Sequence, residues 1–282
     1  RVRRQRQMCI RDSFSANDDS SELMKINKAA GLHPVTVHPE LFELISLGKW
    51  HSCQPGSHLN IAIGPLIQTW RIGFSDAKLP LPEEIRPLLD IINPNAILLS
   101  EETQSVFLKE KGMKIDLGAL AKGYIADRIA DFLKAKKVTS ALINLGGNVL
   151  TFGPALHNPD QKWRIGIQNP KETRNTNLMV LAIRDKSVVT SGIYERTFEI
   201  DGKTYHHIFD SQTGYPVSSD LASLTIISSL SVDGEIWTTR LFGSSLEHIF
   251  QEVSSQAELE AIIVDKDNHC FQTGGIYKMR IS

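Results

Sequence analysis

Residues 116–137, DLGALAKGYIADRIADFLKAKK, carry the strongest helical signal in the chain. Leu120, Tyr124, Ile125, Ile129, Phe132 and Leu133 recur at helical spacing, and lysines crowd the last turns, where they complement the negative end of a helix. Beyond this stretch the apolar period changes. SALINLGGNVLTFG, WRIGIQ, LMVLAIRD, SVVTSG, ERTFEI, KTYHHIFD, ASLTIISS and LEAIIVD read as strands, with Asp201-Gly202 as a two-residue hairpin turn. Ahead of it, DSSELMKINKAAG and HPELFELISLGKWHS read as helices, the first capped by Ser20 or Ser21 and the second with Pro39 in its first turn. DGEIWTTRLFGSSLEHIFQEV returns to helix late. Helices first and strands after predict an α+β fold. The expected form is a single compact domain over residues 14–282 whose strand-rich C-terminal half carries a mixed or antiparallel sheet.

Composition narrows the function classes. A net charge of −1 over 282 residues argues against a nucleic-acid binder or a basic membrane-surface protein. No apolar run approaches the ~18 residues that span a bilayer. Cys9, Cys53 and Cys270 are far apart and form no C-x-x-C, which disfavours a disulfide framework or a zinc site. The Arg-rich opening RVRRQRQMCIRDS has no apolar period and no signal-peptide core. Residues 1–13 resemble translated sequencing-adapter read-through, and the expectation is that they lie outside the fold and that the native start is missing.

Several segments hold residue types that structure alone does not require. Asp116, Gly118 and Lys122 fall near the mouth of the long helix, where unpaired N–H groups suit an anion; an N-cap with a surface lysine is the plainer alternative. Gly146-Gly147 ends an apolar strand, either for close approach of a ligand or as a simple turn. Thr190-Ser191-Gly192 reads as a tight turn whose amides and hydroxyls could cradle an anion. Glu235 and Thr239 are one helical turn apart, a carboxylate and a hydroxyl suited to a hard cation such as Mg²⁺. In KTYHHIFD, neighbouring strand side chains point to opposite faces, so only one of His206 and His207 faces any one site.

Taken in order, the segments SELMKIN (21–27), GPLIQTW (64–70), DLGALAKGYIAD (116–127), NLGGN (144–148), TSGIYER (190–196), HHIFDSQTGYP (206–216) and GEIWTTRLF (234–242) resemble the FAD:protein FMN transferase, or ApbE, family. The resemblance implies transfer of FMN from FAD to a threonine of an acceptor flavoprotein, with Mg²⁺ and with AMP leaving. It places Asp116, Lys122, Thr190, Ser191, Gly192 and Ile208 at FAD, together with His58, Leu59 and Asn60. The Ala119 carbonyl, Glu235, Thr238 and Thr239 fall at the metal, and His207 with Asp210 at the catalytic position. It also implies a cell-envelope location at the outer face of the cytoplasmic membrane, with a lipid anchor from an upstream signal.

The chain departs from the family's pattern in places. Leu59 and Asn60 replace the usual Phe and Asp, Asn17 replaces an aromatic, Ser211 replaces Pro, and Glu235 replaces Asp. The expectation is that the family's N-terminal M-G-T strand is missing along with the native start. Two other functions fit the same residues: a Mg²⁺-dependent FAD pyrophosphatase releasing FMN and AMP, and a non-catalytic FAD-binding protein.

Overall fold

The protein is described by a computed structural model over residues 14–173, 176–194 and 196–281. The opening segment 1–13, on which the read-through expectation falls, lies outside the described residues. Helices α1 (Glu22–Lys28), α2 (Pro39–Ser52), α3 (Gly64–Trp70) and α4 (Pro82–Leu89) come early, then α5 (Ala121–Ala135), and α6 (Ser231–Leu241) and α7 (Leu246–Ser254) late. The strands are β1 (Val35–Thr36), β2 (Ile97–Ser100), β3 (Ser105–Leu108), β4 (Ala141–Leu145), β5 (Asn148–Phe152), β6 (Trp163–Gln168) and β7 (Asn177–Ile183). They continue as β8 (Ser187–Gly192), β9 (Thr197–Ile200), β10 (Lys203–His206), β11 (Leu221–Ser228), β12 (Glu260–Asp265) and β13 (Cys270–Gln272). The named strands pair antiparallel, and the fold class is α+β. No helix among the described residues is long and apolar enough to cross a membrane.

The described residues divide into two compact units, those within 1–121 and 196–217, and those within 122–195 and 218–282. In the first, Ser21 caps α1 by accepting the Met24 N–H at 3.0 Å, as expected. A small sheet of order β1-β3-β2 and the β9–β10 hairpin accompany α1–α4. Asp201 and Gly202, at φ 51° and 71°, form the expected hairpin turn, because both central positions need the left-handed region. Trp70 centres an apolar cluster with Leu66, Ile72, Ile85, Ile92 and Phe209. Its indole N–H donates to the Gly214 carbonyl at 2.9 Å, so this core also fixes the 206–217 loop.

The second unit is built on a six-stranded sheet of order β13-β12-β11-β8-β5-β4. Strand β11 is buried at every position, as expected of a central strand covered on both faces. Val188 faces the β6–β7 ribbon through Ile165, Ile167 and Leu181. Its neighbour Val189 meets α6, where a Cβ on Gly234 would lie 2.6 Å from its methyl. Helix α5 lays Ala126 and Ala130 against Ile143, Leu150 and Phe152 of β4 and β5.

Three local readings change. The long helix begins at Ala121, so Asp116 is not its cap. SALINLGGNVLTFG is not one strand but a hairpin, turned at Gly146 (φ 64°) and Gly147 (φ 94°). Thr190-Ser191-Gly192 is not a turn but the end of β8, paired with Thr225, Leu224 and Ser223 of β11.

Candidate functional site

In the second unit the chemistry gathers where α6 meets α5 and the β4–β5 hairpin. The hairpin turn puts Asn148 at the first position of β5, and Asn148 donates its amide N–H to Glu235 Oε1 at 2.8 Å. Lys122, second residue of α5, brings Nζ to 3.3 Å of the same oxygen. Glu235 is only 4% exposed. Burial raises its carboxyl above the usual range, while the Lys122 charge and the Asn148 and Lys122 hydrogen bonds pull it back down. One turn on, the Thr239 hydroxyl donates to the Glu235 carbonyl at 2.9 Å and the Thr238 hydroxyl does so at 3.1 Å. Thr239 is half-buried, whereas Thr238 is fully enclosed.

A polar chain fixes this arrangement from behind. Asn148 Oδ1 accepts from the Ser231 hydroxyl at 2.5 Å, and Ser231 is also hydrogen-bonded to Ser187 at 2.9 Å. The first N–H groups of α6, from Ser231 and Val232, donate to the two carboxylate oxygens of Asp127 at 2.8 and 2.9 Å. A carboxylate there satisfies orphan donors and meets the positive helix end. Gly123 lies one turn before Asp127 on the same face of α5, where a Cβ would be 2.5 Å from the Ser231 carbonyl oxygen. So within AKGYIAD, glycine admits the end of α6 and aspartate caps it. Burial pushes the Asp127 carboxyl up to about 6, against the two backbone hydrogen bonds, with Asp233 adding to the rise.

The anion nest expected at Thr190-Ser191-Gly192 is corrected, since these residues follow the β8–β11 ladder and not a tight turn. Thr190 Oγ1 lies 2.8 Å from Thr225 Oγ1. What these residues can offer a ligand is hydroxyls along a strand end.

In the first unit, Asp116 sits in the loop before α5. Its N–H donates to the Ile61 carbonyl at 2.9 Å, and its Oδ1 accepts from the Gly118 N–H at 2.8 Å. A Cβ on Gly118 would be 2.9 Å from that Oδ1, which accounts for the glycine of DLG. Burial raises the Asp116 carboxyl, opposed by the Gly118 N–H and by the Arg196 charge. Ala119 is half-buried within the turn closed by Leu120 N–H to Leu117 O at 2.9 Å.

His58 is half-buried, Leu59 is enclosed, and Asn60 acts as a brace. Asn60 donates to the Ile92 carbonyl at 2.8 Å and to Ser211 Oγ at 3.0 Å, and accepts from the Ala62 N–H at 2.8 Å. Two departures from the family pattern, Asn60 and Ser211, are therefore bonded to each other. An aspartate could not donate to both oxygens.

The adjacent histidines do different things. His206 Nδ1 accepts from the Ile208 N–H at 3.3 Å, leaving Nε2 to donate to the Val217 carbonyl at 3.1 Å. His206 thus ties the two arms of the 206–217 loop. His207 lies one residue past β10, half-buried, with Nδ1 3.4 Å from the Arg196 carbonyl. Ile208 is buried. Asp210 organises its own turn: its carboxylate accepts from the Gln212 N–H at 2.8 Å and the Thr213 hydroxyl at 3.2 Å.

Reading the sequence for sites missed Gly123, Asp127, Asn148 and Ser231. They stand in or beside the quoted motifs, but each is a common polar or small residue whose partner is distant in the chain. Two other features stand apart from these groups. Asp265, Asp267 and His269 cluster in the β12–β13 turn, where Asp265 caps the loop by accepting from the N–H groups of Asp267 and His269. A cavity of about 380 Å³ beside β13 is lined by Phe250, Cys270, Phe271, Gln272, Tyr277 and Arg280, none of them among the expected site residues.

The model of the ApbE family matches residues 3–263. The chain belongs to the ApbE family. An FAD:protein FMN transferase of Klebsiella pneumoniae (strain 342) is 46% identical over 256 residues, covering 91% of this chain and 78% of that protein. One from Treponema pallidum (strain Nichols) is 34% identical over 274 residues, covering 93% and 76%. The crystal structure of the ApbE protein of Thermotoga maritima superposes with a TM-score of 0.88 at 25% identity, covering 97% of this chain and 88% of that one. The apo flavinyl transferase ApbE of Pseudomonas stutzeri has the same fold, with a TM-score of 0.83 at 22% identity over 99% and 88%. These curated ApbE relatives are enzymes, and the polar chain from Asp127 to Glu235 is set within the stretch that the ApbE model matches.

Proposed function

We propose that this ApbE-family chain is an FAD:protein FMN transferase, moving the FMN moiety of FAD onto a threonine hydroxyl of an acceptor flavoprotein. The observation that carries the reading is the buried Glu235 carboxylate between Asn148 and Lys122, on a chain 46% identical to a protein named for that reaction. Such transfer depends on positioning and charge neutralisation more than on covalent help from the protein.

The residues fit a hard divalent ion. Glu235 and Thr239 offer only oxygen, and the Thr239 hydroxyl directs its proton at the Glu235 carbonyl, which leaves its lone pairs for a ligand. Mg²⁺ held there would neutralise charge on the pyrophosphate oxygens. Lys122 supplies a second positive charge for the same oxygens, as a compact ammonium on a flexible stem.

His207 is the candidate base. The Arg196 carbonyl beside Nδ1 can only accept, so a neutral ring held there carries its proton on Nδ1 and its lone pair on Nε2. Nε2 takes the proton of the acceptor hydroxyl as the new O–P bond forms to the FMN phosphorus. The P–O bond to AMP breaks, and AMP leaves with the electron pair. The test is incubation with FAD, Mg²⁺ and a threonine-bearing acceptor, read by intact mass. Gain of an FMN phosphoester on the acceptor, matched by AMP, is expected. Free FMN and AMP with an unmodified acceptor would make the protein a pyrophosphatase, and flavin uptake without AMP would make it a binding protein.

A further inference from the structure

Glu235 Oε1 has two donors, and they differ in how firmly they are held. Asn148 is enclosed, and its other amide atom is tied to Ser231, which is tied in turn to Ser187 and Asp127. Removing Asn148 from Glu235 would break a buried network. Lys122 has a side chain 47% exposed, and among the described residues its ion-pair partner is Glu235. Its ammonium can move into solvent once another cation holds Glu235, because a lysine stem has many rotamers and its ammonium hydrates well.

A buried carboxylate without a counter-charge is strongly disfavoured. Lys122, at 3.3 Å, supplies that charge. A divalent ion on the same carboxylate would stand within a few ångströms of the ammonium, and two cations at that spacing repel. We propose that Lys122 is the resident cation of the Glu235 site: ammonium and divalent ion compete for one carboxylate, and arrival of the ion releases Lys122 toward the substrate's phosphates. This rests on the reading of Glu235 as a metal ligand. It adds to it an order of events, in which the lysine that neutralises the substrate becomes available only once the ion is seated.

The test uses Mn²⁺ as the probe, with the whole chain, without nucleotide, at pH 8. Bound and free ion are read by electron paramagnetic resonance for the native protein, Lys122→Met and Glu235→Gln. Competition predicts that Lys122→Met binds Mn²⁺ about 10-fold tighter than the native protein and that Glu235→Gln loses binding. Equal or weaker binding by Lys122→Met, with binding still lost in Glu235→Gln, overturns the competition and leaves the metal reading standing. Native-like Mn²⁺ binding by Glu235→Gln overturns both. The native protein gives a second readout that needs no variant. Mn²⁺ should raise the rate at which an amine-acetylating reagent labels Lys122 several-fold, measured by peptide mass; an unchanged rate rejects the proposal.

Discussion

Gly123 and Ser231 approach so closely that a methyl group on the glycine would sit 2.5 Å from the serine's carbonyl oxygen and 2.7 Å from its carbonyl carbon. Both clashing atoms are backbone, at the start of α6, and cannot step aside as a side chain could. Gly→Ala in a helix interior ordinarily stabilises by ~0.5–1 kcal/mol. Overpacking against fixed backbone costs ~1–3 kcal/mol, so the steric effect wins. Gly123→Ala should lower stability by ~1–2 kcal/mol in urea denaturation, and should weaken Mn²⁺ binding because Glu235 moves with α6. A more stable variant with native ion affinity would show that the approach does not matter.

Asn148 bears on the same helix through its side chain. Asn148→Ala leaves Ser231 without its amide acceptor and Glu235 without its neutral donor. Two weakened buried groups suggest a loss of ~1–3 kcal/mol. Asn148→Asp should be worse at pH 8, where two carboxylates would face each other, and should recover as pH falls and a shared proton restores a donor. Denaturation at pH 5 and pH 8 separates the two variants, and a pH-independent Asn148→Asp deficit would count against direct contact.

Much of the fold was legible because its signals are local. The 3.6 period of α5, the Ser21 cap and the Asp201-Gly202 turn each rest on neighbours a few residues away. The start of α5 was misread because Leu117 and Leu120 continue the apolar period through a turn that precedes the helix. Thr190-Ser191-Gly192 has turn composition, but pairing with β11 overrides it. The site was half legible. Glu235 and Thr239 announce themselves by spacing, whereas Asn148 and Asp127 act on partners 87 and 104 residues away, for which one sequence holds no local trace.

His207 should matter to rate and not to affinity. His207→Ala removes a half-buried ring at the end of β10, outside the Trp70 cluster, so stability should change little. Transfer should fall ~10²-fold or more, the scale of a lost acid–base contribution, with FAD affinity nearly native. Single-turnover flavinylation against equilibrium FAD titration makes the comparison. His206→Ala should instead destabilise the 206–217 loop, because both of its ring nitrogens bond within it. If His206→Ala proved the variant with the purely kinetic defect, the roles of the pair would be reversed.

Asp127 gives the fold a pH dependence whose sign follows from its burial. Its carboxyl stands at about 6 in the folded protein against 3.8 when free, so between those values the native state holds more proton than the unfolded chain. Stability therefore falls as pH rises through this window, and is level above it. About two pH units correspond to ~3 kcal/mol, reduced by whatever structure the unfolded chain retains. Asp127→Asn keeps one oxygen acceptor for the α6 amides but cannot ionise. Most other titrating groups are common to both proteins and cancel in the difference, Asp233 excepted because it couples to Asp127. The native protein should thus lose ~2–3 kcal/mol more than Asp127→Asn between pH 4 and pH 7 in urea denaturation. Near pH 4 the variant gains nothing from being neutral, since the native carboxyl is protonated too. A constant difference across that range would mean that the α6 amides and solvent keep Asp127 ionised, and that its burial is not felt as a charge.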